Sequence, residues 1–162
     1  MKTSALRRVA ACALALLLAG CGDDFDAERY PSPGENARVG DILLRQFRLD
    51  PPPDDAYESY PVGSDIRLYG TFVNEGGAVD RLLDVSSPDA ADVELPSGSD
   101  EAVALPPEPP AGSSVRMESG GLALLVKGTE QVLRSGFPID FRLVFEDAGA
   151  ATISVRVRIP AG

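Results

Sequence analysis

The sequence contains no histidine and no tryptophan, and only two cysteines and two methionines among its 162 residues. Without histidine, neither a Ser–His–Asp nor a Cys–His nucleophilic site can be assembled. Both cysteines, Cys12 and Cys21, lie at the start of the chain. No disulfide framework is therefore available, and the fold must rest on its apolar core. Lysine is scarce as well: beyond residue 20 only Lys127 remains, and nothing marks a serine as its catalytic partner. There is no phosphate-binding glycine loop, no dinucleotide fingerprint and no nucleophile elbow. No window has the periodicity of a long amphipathic helix.

What is present begins with a leader. Lys2, Arg7 and Arg8 give a positive start, and residues 9–19 are an unbroken apolar run. That run is too short for a bilayer span, which needs ~20 residues, and has the length of a signal-peptide core. It ends in Leu18-Ala19-Gly20-Cys21, which resembles the lipobox of bacterial lipoproteins. That resemblance implies a lipid-modified Cys21 as first residue of the mature chain. Two or more acyl chains hold a protein stably on a membrane. Residues 1–20 are thus expected to be a lipoprotein signal peptide. Residues 21–37, acidic and punctuated by proline and glycine, are expected to be the lipidated cysteine and a flexible tether. Sixteen such residues span roughly 20–24 Å. Residues 38–160 are the expected domain.

The chain carries a net charge of −10, and loss of the three leader cations takes the mature form to about −13. A balance this acidic argues against nucleic acid and anionic lipid surfaces as partners. The domain itself alternates apolar and polar residues with period two. Over residues 65–74, Ile66, Leu68, Gly70 and Phe72 share one face and Arg67, Tyr69 and Thr71 the other. Over 140–146, Phe141, Leu143 and Phe145 alternate with Asp140, Arg142 and Glu146. Over 152–159, Ile153, Val155, Val157 and Ile159 alternate with Thr152, Ser154, Arg156 and Arg158. These predict antiparallel strands with one wet face. Further strands are expected over 39–49, 79–85, 92–95, 102–105, 114–118 and 122–127. Turn chemistry at 51–54, 74–77, 97–100, 119–121 and 147–149 separates them. The prediction is an all-β, antiparallel Greek-key β-sandwich of about seven to nine strands.

Carboxylates are plentiful: Asp54, Asp55, Glu58, Asp80, Asp84, Asp89, Asp92 and Glu94. Asp54 with Asp55, or Asp89 with Asp92, offers oxygen ligands to calcium, but not at the spacing of a calcium loop, and they read as solvated turn acids. Asp80 and Arg81 read as a structural ion pair, and residues 74–80 as a connection whose polar side chains satisfy backbone groups. The proline run 105–110 reads as a stiff loop. No catalytic residue, and no cofactor, is expected.

Two blocks carry a family resemblance. One runs from Asn74-Glu75-Gly76-Gly77 through Asp80-Arg81-Leu82-Leu83-Asp84-Val85-Ser86-Ser87-Pro88 to Val93-Glu94-Leu95. The other joins Gly120-Gly121-Leu122-Ala123-Leu124-Leu125, Leu133-Arg134-Ser135-Gly136-Phe137-Pro138-Ile139 and Phe141-Arg142-Leu143-Val144-Phe145-Glu146-Asp147-Ala148-Gly149. Together they resemble the cupredoxin-like PCu(A)C copper chaperones. The Val39-Gly40-Asp41-Ile42-Leu43-Leu44-Arg45 opening and the lipobox look more like their LpqE-type surface-lipoprotein branch in actinobacteria. The resemblance implies a Cu(I) site of two histidines and two methionines, ligands that suit a soft ion. At the matching positions this sequence has Pro96, Ala123 and Leu125. The fourth position falls in a shortened segment around 97–110. Met117, the only methionine after the leader, matches an apolar strand residue and is expected in the core.

The expectation for function is a non-enzymatic envelope lipoprotein. It would be anchored on the extracytoplasmic face of the cell membrane through Cys21, and would act as a binding or accessory module for another envelope protein. The alternative is metal handling, either copper delivery or a carboxylate cation site.

Overall fold

The computed structural model describes residues 35–52, 59–96, 101–107 and 114–158. Within them lie eight strands of five or more residues and four shorter ones, and no helix. The long strands are β1 (Glu35–Val39), β2 (Ile42–Leu49), β4 (Ile66–Asn74), β5 (Asp80–Ser86), β6 (Ala90–Glu94), β9 (Leu124–Thr129), β11 (Pro138–Phe145) and β12 (Ala150–Arg156). The short ones are β3 (Ser59–Tyr60), β7 (Val103–Leu105), β8 (Val115–Met117) and β10 (Leu133–Arg134). One sheet runs β1-β2-β4-β9-β6, with β8 also paired to β4. The other runs β12-β11-β5-β7, and β3 pairs with β10 in a small ribbon. All the strand pairs are antiparallel. The expected sandwich is therefore present, with alternate residues of the two sheets meeting in one core.

The strand read over 39–49 is in fact a hairpin. Gly40 has φ of 52° and turns the chain with Asp41, so that Val39 pairs with Ile42. The β1 strand also opens at Glu35, three residues before the expected start of the domain at 38. With β1 and β4 on either side, β2 is an interior strand.

The inward residues of β2 change parity. Ile42 and Leu44 are buried, then Phe47 and Leu49, a spacing no regular strand can place on one face. A β-bulge resolves it. Arg45 pairs with Thr71 and Arg48 with Tyr69, so Gln46 and Phe47 together oppose the single residue Gly70. Gln46 takes φ of 56°, the one non-glycine residue among the described ones in the left-handed region. Its N–H donates to Asn36 Oδ1 at 2.8 Å. The Phe47 ring lies directly on Gly70, where a Cβ would stand 2.7 Å from the ring. Phe47 meets Phe72 edge-on at 5.3 Å, and Phe72 meets Phe145 of the other sheet at 6.2 Å. Three rings thus tie the sheets together.

At the other end, polar side chains hold the connections. Asn74 Nδ2 donates to the carbonyls of Ala78 and Leu105, both at 2.8 Å, and its Oδ1 accepts from the Gly76 N–H. The buried Asp80 carboxylate accepts N–H bonds from Arg81, Asp147 and Ala148. The expected Asp80–Arg81 ion pair is not formed. Asp80 spends its oxygens on the backbone, and Arg81 reaches Glu146 instead, at 3.8 Å and half exposed.

Tyr60 is buried, and its hydroxyl finds no hydrogen-bond partner. Burial first, then the nearby Asp50 charge, pushes the phenol well above its ordinary 10.0.

Gly70→Ala drives a methyl into the Phe47 ring and is expected to cost about 2–3 kcal/mol by denaturant unfolding. Gln46→Gly relieves a strained φ and should leave the protein roughly 0.5–1 kcal/mol more stable. Tyr60→Phe removes a hydroxyl without a partner and is expected to be neutral or stabilising by about 1 kcal/mol. The native phenol holds its proton when the unfolded one, near pH 10, has lost it, so stability falls as pH rises above that value. Thermal unfolding between about pH 9 and 11 should accordingly be flatter in Tyr60→Phe than in the parent.

Candidate functional site

The outward residues of the larger sheet form rows across its strands, fixed by the register. The first row is Arg45 on β2, Thr71 on β4 and Arg116 on β8. The next has Arg48 beside Tyr69. The third is Arg67 on β4, Leu125 on β9 and Glu94 on β6. Beyond it Lys127 stands opposite Asp92 and pairs with Asp65 at 3.1 Å. The Gly128 N–H, then Lys127, holds the Asp65 carboxyl below its usual range.

The parity switch in β2 produces this face. Arg45 leaves the sheet before the bulge and Arg48 after it, both outward and exposed. The Arg48 guanidinium lies 5.4 Å above the Tyr69 ring. Tyr69 is covered, and its hydroxyl donates to Asp50 Oδ2 at 3.3 Å. Beside the bulge an open cleft of about 340 Å³ is lined by Gln46, Arg48, Thr71, Arg116, Met117 and Glu118. Among the described residues, the only ion pairs are Arg38–Glu75, Arg81–Glu146 and Lys127–Asp65. Arg45, Arg48, Arg67 and Arg116 take part in none of them.

The positions matched to copper ligands meet on the same face. The β6–β9 register ends with Glu94 opposite Leu125, and Pro96 and Ala123 lie just outside those two strands. The β4–β9 register ends with Arg67 opposite Leu125 and Leu68 opposite Leu124. Pro96, Ala123 and Leu125 are each half-buried, and their side chains offer only hydrocarbon. Met117 pairs with Gly70 and is buried on the core side of the sheet, as expected of a core residue. Among the described residues, no three His, Cys, Asp or Glu side chains cluster as metal ligands.

The carboxylates of the sequence are dispersed. Asp80 belongs to the backbone clamp. Asp84 is exposed on the second sheet. Asp89 accepts from Gln131 Nε2 at 2.6 Å in the turn before β6. Asp92 and Glu94 surround Lys127. Cys21, Asp54, Asp55, Glu58 and residues 108–110 of the proline run lie outside the described residues. Sequence reading had not singled out the arginine face. Its signal was there, in Arg67 alternating outward and in the broken parity of 42–49. The cross-strand register that gathers these residues is not local.

Comparison with known proteins agrees with this architecture. The apo PCuAC domain from PmoF1 superposes with a TM-score of 0.65 at 21% identity, covering 78% of this chain and 100% of that one. The copper-bound PCuAC domain from PmoF2 gives 0.63 at 28% identity, covering 78% and 99%. The Cu(I) form of DR1885 from Deinococcus radiodurans gives 0.52 at 14%, covering 78% and 83%. No curated protein matches. The fold is thus the cupredoxin-like sandwich of PCuAC domains. The profile of the LpqE-like family, named for a lipoprotein, matches residues 42–157, and the chain belongs to that family.

Proposed function

We propose that this protein is an envelope lipoprotein, anchored through Cys21 on the extracytoplasmic face of the membrane, and that it works as a non-enzymatic binding or accessory module on a copper-chaperone scaffold without the copper site. One observation carries the reading. Pro96, Ala123 and Leu125 occupy the positions that the resemblance matches to ligands, and their side chains have no atom to give a metal. Arg67 stands opposite Leu125, and fixed positive charge opposes a cation there. The family's lipoprotein name supports the anchor, as do the order and spacing of the leader, apolar run and Cys21.

A second reading, copper delivery, is favoured by the 28% identity to a copper-bound domain. The absence of histidine and the burial of Met117 weigh against it.

Three experiments test the proposal. Cys21→Ser should move the protein from the membrane fraction to the soluble one, since it removes the acyl chains that hold it. Retention in washed membranes would defeat the anchor. In competition with a colorimetric Cu(I) chelator, the parent should take up no copper. The triple variant Pro96→His, Ala123→His, Leu125→Met should bind about one equivalent, because soft ligands then meet in one place. Stoichiometric uptake by the parent would establish the copper reading instead. Crosslinking of the lipidated protein in its own membranes should then capture one dominant envelope protein, with or without chelator.

A further inference from the structure

We infer that the arginine-lined cleft on the outer face of the larger sheet is a binding site for a phosphoryl oxyanion. The inference goes beyond the accessory-module reading and does not depend on it, since neither the anchor nor the copper question enters the argument.

The first ground is charge placement. The chain is strongly acidic, yet Arg45, Arg48, Arg67 and Arg116 gather on one sheet face, and none of them is ion-paired within the described residues. Guanidinium groups offer planar forks that match the oxygens of phosphate, and they keep their charge at any working pH. Where carboxylates outnumber basic groups so heavily, leaving four such forks unmated concentrates a positive field that the rest of the surface does not have.

The second ground is the donor set. Arg48 and Arg116 line the cleft together with the Thr71 hydroxyl and the Gln46 amide. Among the described residues, the Gln46 N–H is taken by Asn36 Oδ1, but no hydrogen bond engages the side chains of Gln46, Thr71 or Arg116. Two forks, a hydroxyl and an amide supply more donors than a carboxylate can accept and suit the several oxygens of a phosphoryl group. Glu118, which also lines the cleft, is the one opposing charge. Arg48 is steadied over the Tyr69 ring, so less of its freedom is lost on binding.

The third ground is the backbone. Gln46 is held in a left-handed conformation that costs energy, and strain of this kind gathers at ligand clamps. The same bulge sets Arg45 and Arg48 outward. The overall negative charge repels large polyanions such as nucleic acid or an anionic bilayer. A single phosphoryl group meets only the local field, because screening at physiological salt confines that field to about 8 Å.

The test is calorimetric titration of the full-length lipidated protein in detergent at low salt, with two probes. Inorganic phosphate represents the free ion, and dihexanoyl phosphatidylglycerol below its micelle concentration represents a lipid headgroup. At least one should bind saturably. Phosphate alone identifies the free ion as the source, the phospholipid alone a headgroup, and both identify the phosphoryl group itself. Arg48→Gln and Arg116→Gln should each weaken binding about ten-fold, the worth of one charge-assisted hydrogen bond. Glu118→Gln should tighten it. Arg142→Gln, an exposed arginine on the other sheet, should change nothing. Arg116→Lys, which keeps charge and stem but loses the fork, should fall between Arg116→Gln and the parent, and guards against a folding defect. The inference is overturned if neither probe binds saturably, if Arg142→Gln weakens binding as much as Arg116→Gln, or if Glu118→Gln loosens it.

Discussion

The close contact of the Phe47 ring on Gly70 is the constraint from which most of the structure follows. A side chain at position 70 and a ring at 47 cannot both exist, so the bulge at Gln46 and Phe47 and the glycine opposite form one unit. Because the bulge absorbs one residue, Ile42, Leu44, Phe47 and Leu49 all reach the core. Without it, half of that row would face water and the interior would lose a ring that leads through Phe72 to Phe145. A buried phenylalanine contributes several kcal/mol of a total stability of only about 5–15, so the local strain at Gln46 is offset many times over.

The same device recurs in the second sheet. Leu82 and Val85 are buried and Leu83 and Asp84 exposed, and the β5–β11 register slips between Val144 and Phe145. The sandwich thus carries an extra residue on a strand of each sheet. Bulges increase twist and re-aim side chains. In the first sheet the result is the outward pair Arg45 and Arg48. The core and the arginine face are therefore two consequences of one backbone irregularity.

Much of the fold was legible because period-two alternation is local. The strands around Ile66–Asn74, Pro138–Phe145 and Ala150–Arg156 announce themselves, and their inward residues are those the sequence assigns. The segment 39–49 misled for a physical reason. Gly40 turns the chain between Val39 and Ile42, and without knowing that its φ is positive a reader sees one strand running from Val39 into the apolar Ile42-Leu43-Leu44. The two-residue ribbon of β3 with β10 has no period to detect. Asp80 and Arg81, adjacent and opposite in charge, invite a pairing by proximity alone. The structure shows that a buried carboxylate does better with backbone N–H groups that have no other acceptor. The arginine face was legible only in fragments, the outward Arg67 and the broken parity of 42–49, since Arg116 lies far in sequence from Arg45 and Thr71 joins them only through cross-strand pairing.

In the function proposed for this chain, Pro96, Ala123 and Leu125 stand where a soft cation would need the sequence to supply sulfur and imidazole. Here it supplies a pyrrolidine, a methyl and an isobutyl group, and it sets arginines on the neighbouring rows. Those two changes act in the same direction. Removing donors abolishes the attraction that offsets dehydration of a metal ion, and adding guanidinium groups raises the electrostatic cost of bringing a cation near. The scaffold needs neither change in order to fold, because the outward face contributes little to the core. A sandwich of this kind can keep its architecture while the residues of its outward face vary, and for that reason shared fold alone cannot carry the copper of its structural relatives to this chain.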